Sequence, residues 1–239
     1  MTSLDDSLAS FFADLTRRFI GVESVDDVLT LIVHATFEIM PTCDHVSVSY
    51  LRGRTLVSRS SNDDVGPLLD AIQTEAQEGP CFDAIRHRTA FSTGDLGADP
   101  RWPVYGPRAV EATDVRSSLA TPLDSGSGVI GALNLFSEQL VGFKDDPGVH
   151  ATIAILAAHA TAALHATLHR EQMATALRSR DLIGQAKGIL MAHGNVDEAA
   201  AFGQLAAASQ RMNLKVSEIA QRLIDGSLTD ERGDGPPNE

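Results

Sequence analysis

No proline falls between Pro147 and Pro236, although the chain holds ten of them. Proline removes a backbone donor and breaks helices. The stretch after Pro147 is therefore free to be helical throughout, whereas the earlier part is punctuated into short elements. The pattern divides the chain into a mixed α and β part and an all-helical C-terminal part. In the proline-free stretch, Val149, Ile153, Leu156, Ala160 and Ala163 step by four and three, a seam of the coiled-coil kind. The apolar pattern runs on through Leu168, Met173, Leu177, Ile183, Ala186 and Leu190. Unbroken to Met191, this helix is roughly 60 Å long at about 1.5 Å per residue. A helix that long needs a partner along its apolar face, either the N-terminal helix or a second protomer. The alanine-rich seam lets a partner helix come close, so a parallel homodimer through Val149–Ala163 is expected.

The elements before it follow from period and punctuation. Leu4, Leu8, Phe11, Phe12, Leu15 and Phe19 have helical spacing, and so do Val28, Leu29, Ile32, Val33, Thr36 and Ile39, with Ser24 as N-cap and Pro41 past the end. From His45 to Tyr50 the residues alternate, and Arg54 to Ser58 resumes after Gly53, which makes a hairpin. Helices are expected over Pro67–Glu78, from Gly79-Pro80-Cys81 to Ile85, and over Val104–Ala112. Strands are expected over Ala90–Thr93, Ser117–Pro122 and Val129–Phe136. After the long helix come a turn at His193-Gly194-Asn195, a helix over Val196–Met212 and a last helix over Val216–Ile224. The fold class is α+β: an antiparallel sheet flanked by helices, a long connecting helix over 149–191, and an all-α three-helix unit. The units expected are 1–165 and 166–226, with a disordered tail over 227–239.

The net charge is −13, and it is unevenly spread. Residues 1–169 hold 11 basic against 22 acidic side chains, residues 170–226 hold 7 against 6, and the tail holds 1 against 4. Only the middle stretch can meet a polyanion without strong repulsion. The opening MTSLDDSLAS has two acids and no basic run, so no secretory leader is expected. The longest apolar run, Ala151 to Leu164, is interrupted by Thr152, His159 and Thr161, so no membrane span is expected. Two cysteines, Cys43 and Cys81, form neither a disulfide framework nor a zinc cluster. Together these features point to a cytoplasmic protein with reduced thiols.

The stretch Arg180–Met191 is an amphipathic helix with Ile183, Ala186, Ile189 and Leu190 as its apolar stripe. Arg180, Gly184 and Lys187 lie close together on another face. Gly184 and Gly188 each cost about 1 kcal/mol relative to Ala inside a helix, which implies close approach of a second helix or a ligand backbone. The segment resembles the ANTAR domain, a three-helix RNA-binding module of bacterial antitermination regulators. Arg180, Ile183, Ala186-Lys187-Gly188-Ile189-Leu190-Met191, Glu198-Ala199, Ala201-Phe202, Leu205, Ser209-Gln210, Asn213, Lys215, Ile219-Ala220 and Leu223-Ile224 carry the likeness. It implies binding of hairpin RNA in nascent transcripts by a dimer, with a terminator thereby prevented from forming. The residues assigned to RNA are Arg180, Lys187, Ser209, Gln210, Asn213 and Lys215; loop bases and phosphates suit such a set.

The first part resembles a GAF domain over roughly residues 20–165. The likeness rests on Glu78-Gly79-Pro80-Cys81, Asp95-Leu96, Asp99-Pro100-Arg101-Trp102-Pro103, Ser117-Ser118-Leu119, Pro122-Leu123 and Ile130-Gly131-Ala132-Leu133-Asn134-Leu135. It implies a sensor with a possible small-molecule ligand, with Cys81 and Trp102 as pocket candidates. Leu135 follows Asn134 where cyclic-nucleotide binders carry Lys, so no cyclic nucleotide is assigned.

Cys81 stands at an expected helix start, a position that lowers a thiol pKa, but the simpler role is a buried small side chain. Paired with His87 or His45 it would still lack an orienting group and an oxyanion site, so no catalytic residue is assigned. His165 and His169 stand at i and i+4 without a carboxylate one turn away, so no metal site and no cofactor are expected. Trp102 is a packing anchor before it is a ligand stacker. The expected function is that of a cytoplasmic signal-responsive regulator that binds hairpin RNA. The alternatives are a DNA-binding regulator, since Val216–Ile224 resembles the first helix of a helix-turn-helix, and a protein-interaction sensor.

Overall fold

The computed structural model describes residues 2–143 and 146–227, with side chains from Asp6 onward. The tail assigned to 227–239 therefore lies, past Ser227, outside the described residues. The described chain forms two compact units, one reaching Leu168 and one starting at His169.

The first unit opens with α1 (Thr2–Ile20) and α2 (Val25–Ile39). Ser24 caps α2 by accepting from the Asp27 amide, satisfying a donor that the first turn leaves free. Then come β1 (His45–Arg52), β2 (Thr55–Ser61), α3 (Val65–Ala76), α4 (Pro80–His87), β3 (Phe91–Thr93), α5 (Tyr105–Ala112), β4 (Ser117–Asp124) and β5 (Val129–Ser137). The strands form one sheet in the order β2-β1-β5-β4-β3, with every neighbouring pair antiparallel.

The sheet has two unlike faces, and both are buried. Val46 and Val48 of β1, Leu119 and Leu123 of β4, and Leu133 and Leu135 of β5 enter the main apolar core with Leu15, Val28, Ile32 and Phe143. The alternate residues, Ser47, Ser49, Ser118 and Asn134, point the other way and are equally covered. On their side lie α3, α4 and α5 with two smaller clusters. One holds Leu69, Leu96, Trp102, Tyr105 and Phe136; the other holds Leu56, Cys81, Phe82 and Ala132.

The long helix, α6, runs from Pro147 to Gly194. Its seam does not serve the parallel dimer expected from the sequence. Ile153, Leu156 and Ala160 are fully buried in the first unit's own core, with Val149 and Ala163 packed beside them. His159 stacks on Phe12 of α1 at 5.2 Å between ring centroids. The intramolecular partner wins because α1, α2 and the sheet already offer an apolar surface to that face. α6 is also long and apolar enough, by length and composition alone, to cross a membrane, contrary to the expectation of no such segment. Much of its apolar character belongs to side chains that the core absorbs.

In the second unit, the C-terminal part of α6 packs with α7 (Glu198–Met212) and α8 (Val216–Ile224). Asp197 caps α7 by accepting from the Ala200 amide, which starts that helix later than the apolar pattern indicates. The core is small: Ala186, Leu205, Ala208, Ile219 and Ala220 are buried, with Leu182, Ile183 and Leu190 at its edge. From His169 to Arg178 every residue of α6 is exposed, including Met173 and Leu177.

Candidate functional site

Beneath α3, the polar face of the sheet forms a buried polar layer. Gly66, Asp70 and Gln73 recur at four and three residues along α3, so they share one face of that helix, and all three are buried. A Cβ on Gly66 would stand 2.6 Å from the Ser47 Cβ, so glycine is what lets α3 lie directly on β1. Ser49 donates to Oδ2 of Asp70. Asn134 donates from Nδ2 to Ser49 at 3.2 Å and to Ser47 at 3.3 Å.

The turn between α3 and α4 completes the arrangement. Gly79 has φ +137°, and a Cβ there would stand 2.2 Å from Oε1 of Gln73. The same oxygen accepts from the Cys81 amide at 3.0 Å. Only glycine allows the chain to turn this tightly against Gln73, and the turn seats Cys81 at the start of α4.

Within this layer several buried polar atoms have no partner: Oδ1 of Asp70, Nε2 of Gln73, the Tyr105 hydroxyl, the Ser118 hydroxyl and Oδ1 of Asn134. Native interiors leave only a few such atoms per hundred residues, so their concentration in one layer marks it as unusual. Burial pushes the Asp70 carboxyl up to about 7, against a smaller opposing effect of the Ser49 hydrogen bond. Burial, and then the neighbouring Asp70, push the Cys81 thiol and the Tyr105 phenol well above their ordinary ranges.

The two pocket candidates take different places. Cys81 is fully buried beside this layer, and its thiol is held protonated; desolvation outweighs the helix N-terminus that would have activated it. Cys43 belongs to the core on the opposite face of the sheet, and its thiol is pushed up to about 12, chiefly by burial. The two thiols therefore form no redox pair. Trp102 is a buried anchor: Nε1 donates to Asp83 at 2.8 Å, and the Arg101 guanidinium lies 4.4 Å from its ring centroid. Arg101 in turn is clamped by Asp99, whose carboxyl it holds down at about 2.

The six residues assigned to RNA divide by their present engagement. Arg180, Gln210 and Lys215 are exposed. Lys187 is paired with Glu198 of α7, a contact that holds the Glu198 carboxyl below its usual range. Ser209 donates to the Leu214 carbonyl at 2.5 Å. Asn213 is the left-handed cap of α7, with φ 52°, and its amide donates to the Ser209 carbonyl. Ser209 and Asn213 thus build the turn between α7 and α8, which positions Gln210 and Lys215 on either side of it. Within the chain, Gly184 and Gly188 are not approached by a second helix, one of the two approaches expected from the sequence. A Cβ at either would meet nothing within 4 Å, so α7 and α8 lie against other faces of α6.

A GAF domain profile matches residues 22–165, and an ANTAR domain profile matches residues 171–224. The chain belongs to the GAF family and carries an ANTAR domain. An ANTAR domain is the mark of an RNA-binding antitermination regulator and a GAF domain that of a sensor, so both parts of the chain are regulatory. Solved structures agree on the first unit. The GAF domain of a phosphoenolpyruvate-protein phosphotransferase from Coxiella burnetii is 17% identical, with 71% of this chain and 99% of that one covered at a TM-score of 0.55. Free methionine-R-sulfoxide reductase from Neisseria meningitidis, in complex with its substrate, is also 17% identical, with 71% and 97% covered at a TM-score of 0.51. At these identities the likeness is one of fold. No curated protein matches the chain.

Sequence reasoning singled out Cys81 as a pocket candidate and Asn134 only as part of the GAF likeness; it missed Asp70, Gln73 and Tyr105. The available signal was Asp70 and Gln73 at helical spacing on the inner side of α3, opposite two serines alternating with valines.

Proposed function

We propose that this chain is a cytoplasmic, signal-responsive regulator that binds hairpin RNA in nascent transcripts and promotes antitermination. The observation that carries this reading is the ANTAR match across all three helices of the second unit, 171–224. That unit leaves Arg180, Gln210 and Lys215 exposed around a small core. Residues 170–226 have a net charge of only +1, too little for binding driven by backbone phosphates alone. Recognition then falls on the splayed bases of loops.

The protein acts as a homodimer, because paired hairpin loops need two linked sites to gain from high effective concentration. With the Val149–Ala163 seam taken up by the core, the association surface is the exposed stretch of α6 around Met173 and Leu177. The GAF domain supplies the signal by taking a small molecule on the side of the sheet that carries Asp70 and Asn134. It acts by binding and not by chemistry: the thiols are unpaired and held protonated, although some proteins of this fold are sulfoxide reductases.

The test is a binding titration of the full chain against an RNA with two loop-bearing hairpins and against the equivalent DNA at the same salt. RNA-selective binding that weakens in Arg180→Ala and Lys215→Ala, with melting unchanged, supports the reading. Equal affinity for duplex DNA refutes it in favour of a DNA-binding regulator. Sedimentation of the full chain with and without Leu177→Glu tests the dimer; a monomer that stays monomeric on RNA counts against it.

A further inference from the structure

The second unit keeps its one large aromatic ring out of its core. Phe202 is the sole Phe, Trp or Tyr after Phe143. Ala201 and Leu205 of α7 are buried, yet Phe202 between them is 46% exposed. A single exposed apolar side chain is ordinary on a protein surface; the surroundings set this one apart. Glu198 stands four residues earlier on the same face of α7. A helical side chain leans over the turn before it, so the Phe202 ring leans toward Glu198. That carboxylate is paired with Lys187 of α6. Phe202 is followed by Gly203, where an added Cβ would meet nothing within 4 Å. A glycine inside a helix costs about 1 kcal/mol relative to Ala, and no contact within the chain requires it here.

An open ring beside a cation is what a splayed nucleotide uses. Unpaired RNA bases stack on aromatic side chains, while the adjoining phosphate meets Lys or Arg. The net charge of +1 over residues 170–226 leaves attraction to phosphates weak, so affinity rests on contacts to bases. A protein helix laid on Phe202 would also cover the neighbouring Lys187–Glu198 pair and strip both charges of water. A phosphate instead takes the place of the Glu198 carboxylate on Lys187, one anion for another. Resting on the reading of the second unit as an RNA-binding domain, we propose that Phe202 is the stacking platform for one unpaired loop base, with Lys187 taking the adjoining phosphate. Glu198 is then a resident stand-in for that phosphate: it holds Lys187 beside the ring until RNA displaces it.

The probe is the RNA that the full chain selects from a pool of paired hairpins with randomised loops. Phe202→Ala is expected to weaken its binding about ten- to a hundredfold, with sedimentation unchanged. Phe202→Leu keeps the apolar bulk without a π face and should bind as weakly as Phe202→Ala; Phe202→Tyr should bind like the parent. Should Phe202→Ala melt early, Phe202→Leu decides between stacking and packing. The second readout is an abasic site walked through the loops. At one position its penalty should vanish in Phe202→Ala, because base and ring act as a pair. Unchanged affinity in Phe202→Ala, Phe202→Leu binding like the parent, or abasic penalties that persist at every loop position overturn the proposal. So does an altered sedimentation of Phe202→Ala, which assigns the ring to a protein contact. A parent chain that selects no RNA refutes the RNA reading and this site with it; a parent that selects RNA whether or not Phe202 is present loses the stacking site alone.

Discussion

Replacing Asp70 with Asn should make the first unit more stable, by an amount that grows with pH. In the unfolded chain the carboxyl ionises near 3.9; in the folded chain it is held protonated up to about 7 by burial. Between those values the native state keeps a proton that the unfolded state has released. Stability therefore falls as pH rises from about 4, and the loss is complete above about 7. Roughly three pH units at about 1.4 kcal/mol each give about 4 kcal/mol of destabilisation at pH 8, of which about 3 kcal/mol develops between pH 5 and pH 8. Cys81 and Tyr105, whose own ionisation Asp70 opposes, are both pushed upward and stay neutral over that range. Asn at position 70 has no such titration. Denaturant unfolding followed by fluorescence isolates the effect, because Trp102 is the sole tryptophan and is buried in this unit. The variant should exceed the parent by about 3 kcal/mol more at pH 8 than at pH 5. A difference that is constant from pH 5 to pH 8 would refute the desolvation argument, and one that shrinks with pH would mean that a cation balances Asp70.

Leu156→Ala should cost about 2–5 kcal/mol of stability in the first unit, read by the same Trp102 signal, and should leave the oligomeric state unchanged; loss of the dimer without loss of stability would restore the intermolecular seam. Gly184→Ala and Gly188→Ala should each stabilise the second unit by about 1 kcal/mol, since nothing lies within 4 Å of the added methyl; a fall in helicity on melting would show a hidden contact. Glu198→Gln should release Lys187 and tighten RNA binding by about two- to fivefold at low salt, fading as salt rises; unchanged affinity would remove Lys187 from the RNA surface.

Much of this fold is legible in the sequence because its elements are locally consistent. Ser24 before an apolar period, the Gly53 hairpin and the proline-free run after Pro147 each specify one structure. The partner of the seam is not legible. Val149, Ile153, Leu156 and Ala160 have the same spacing whether they meet α1 or a second chain, and only the tertiary surface decides. The buried polar layer is hidden for a different reason. Val46-Ser47-Val48-Ser49 fixes a strand with two unlike faces, but alternation alone reads the serine face as solvated. Covering it requires α3, whose inward residues, Gly66, Asp70 and Gln73, are recognisable only once the helix is laid on the sheet. The turn at Gly79 shows the same limit: Glu78-Gly79-Pro80 announces a bend, but not that its conformation places the Cys81 amide on Gln73.

The unlike faces of the sheet also bear on how such a chain can change over generations. The leucines and valines of one face carry the apolar packing that holds the unit together, so most substitutions there are purged. Ser47, Ser49, Ser118 and Asn134 on the other face add little apolar burial, and several nearby polar atoms are already unpaired. Exchanges among small polar side chains at those positions would alter the chemical character of that layer while leaving the domain folded. If that side of the sheet takes a small molecule, as proposed, a lineage could replace the stimulus one residue at a time, without an unfolded intermediate and without touching the C-terminal helices.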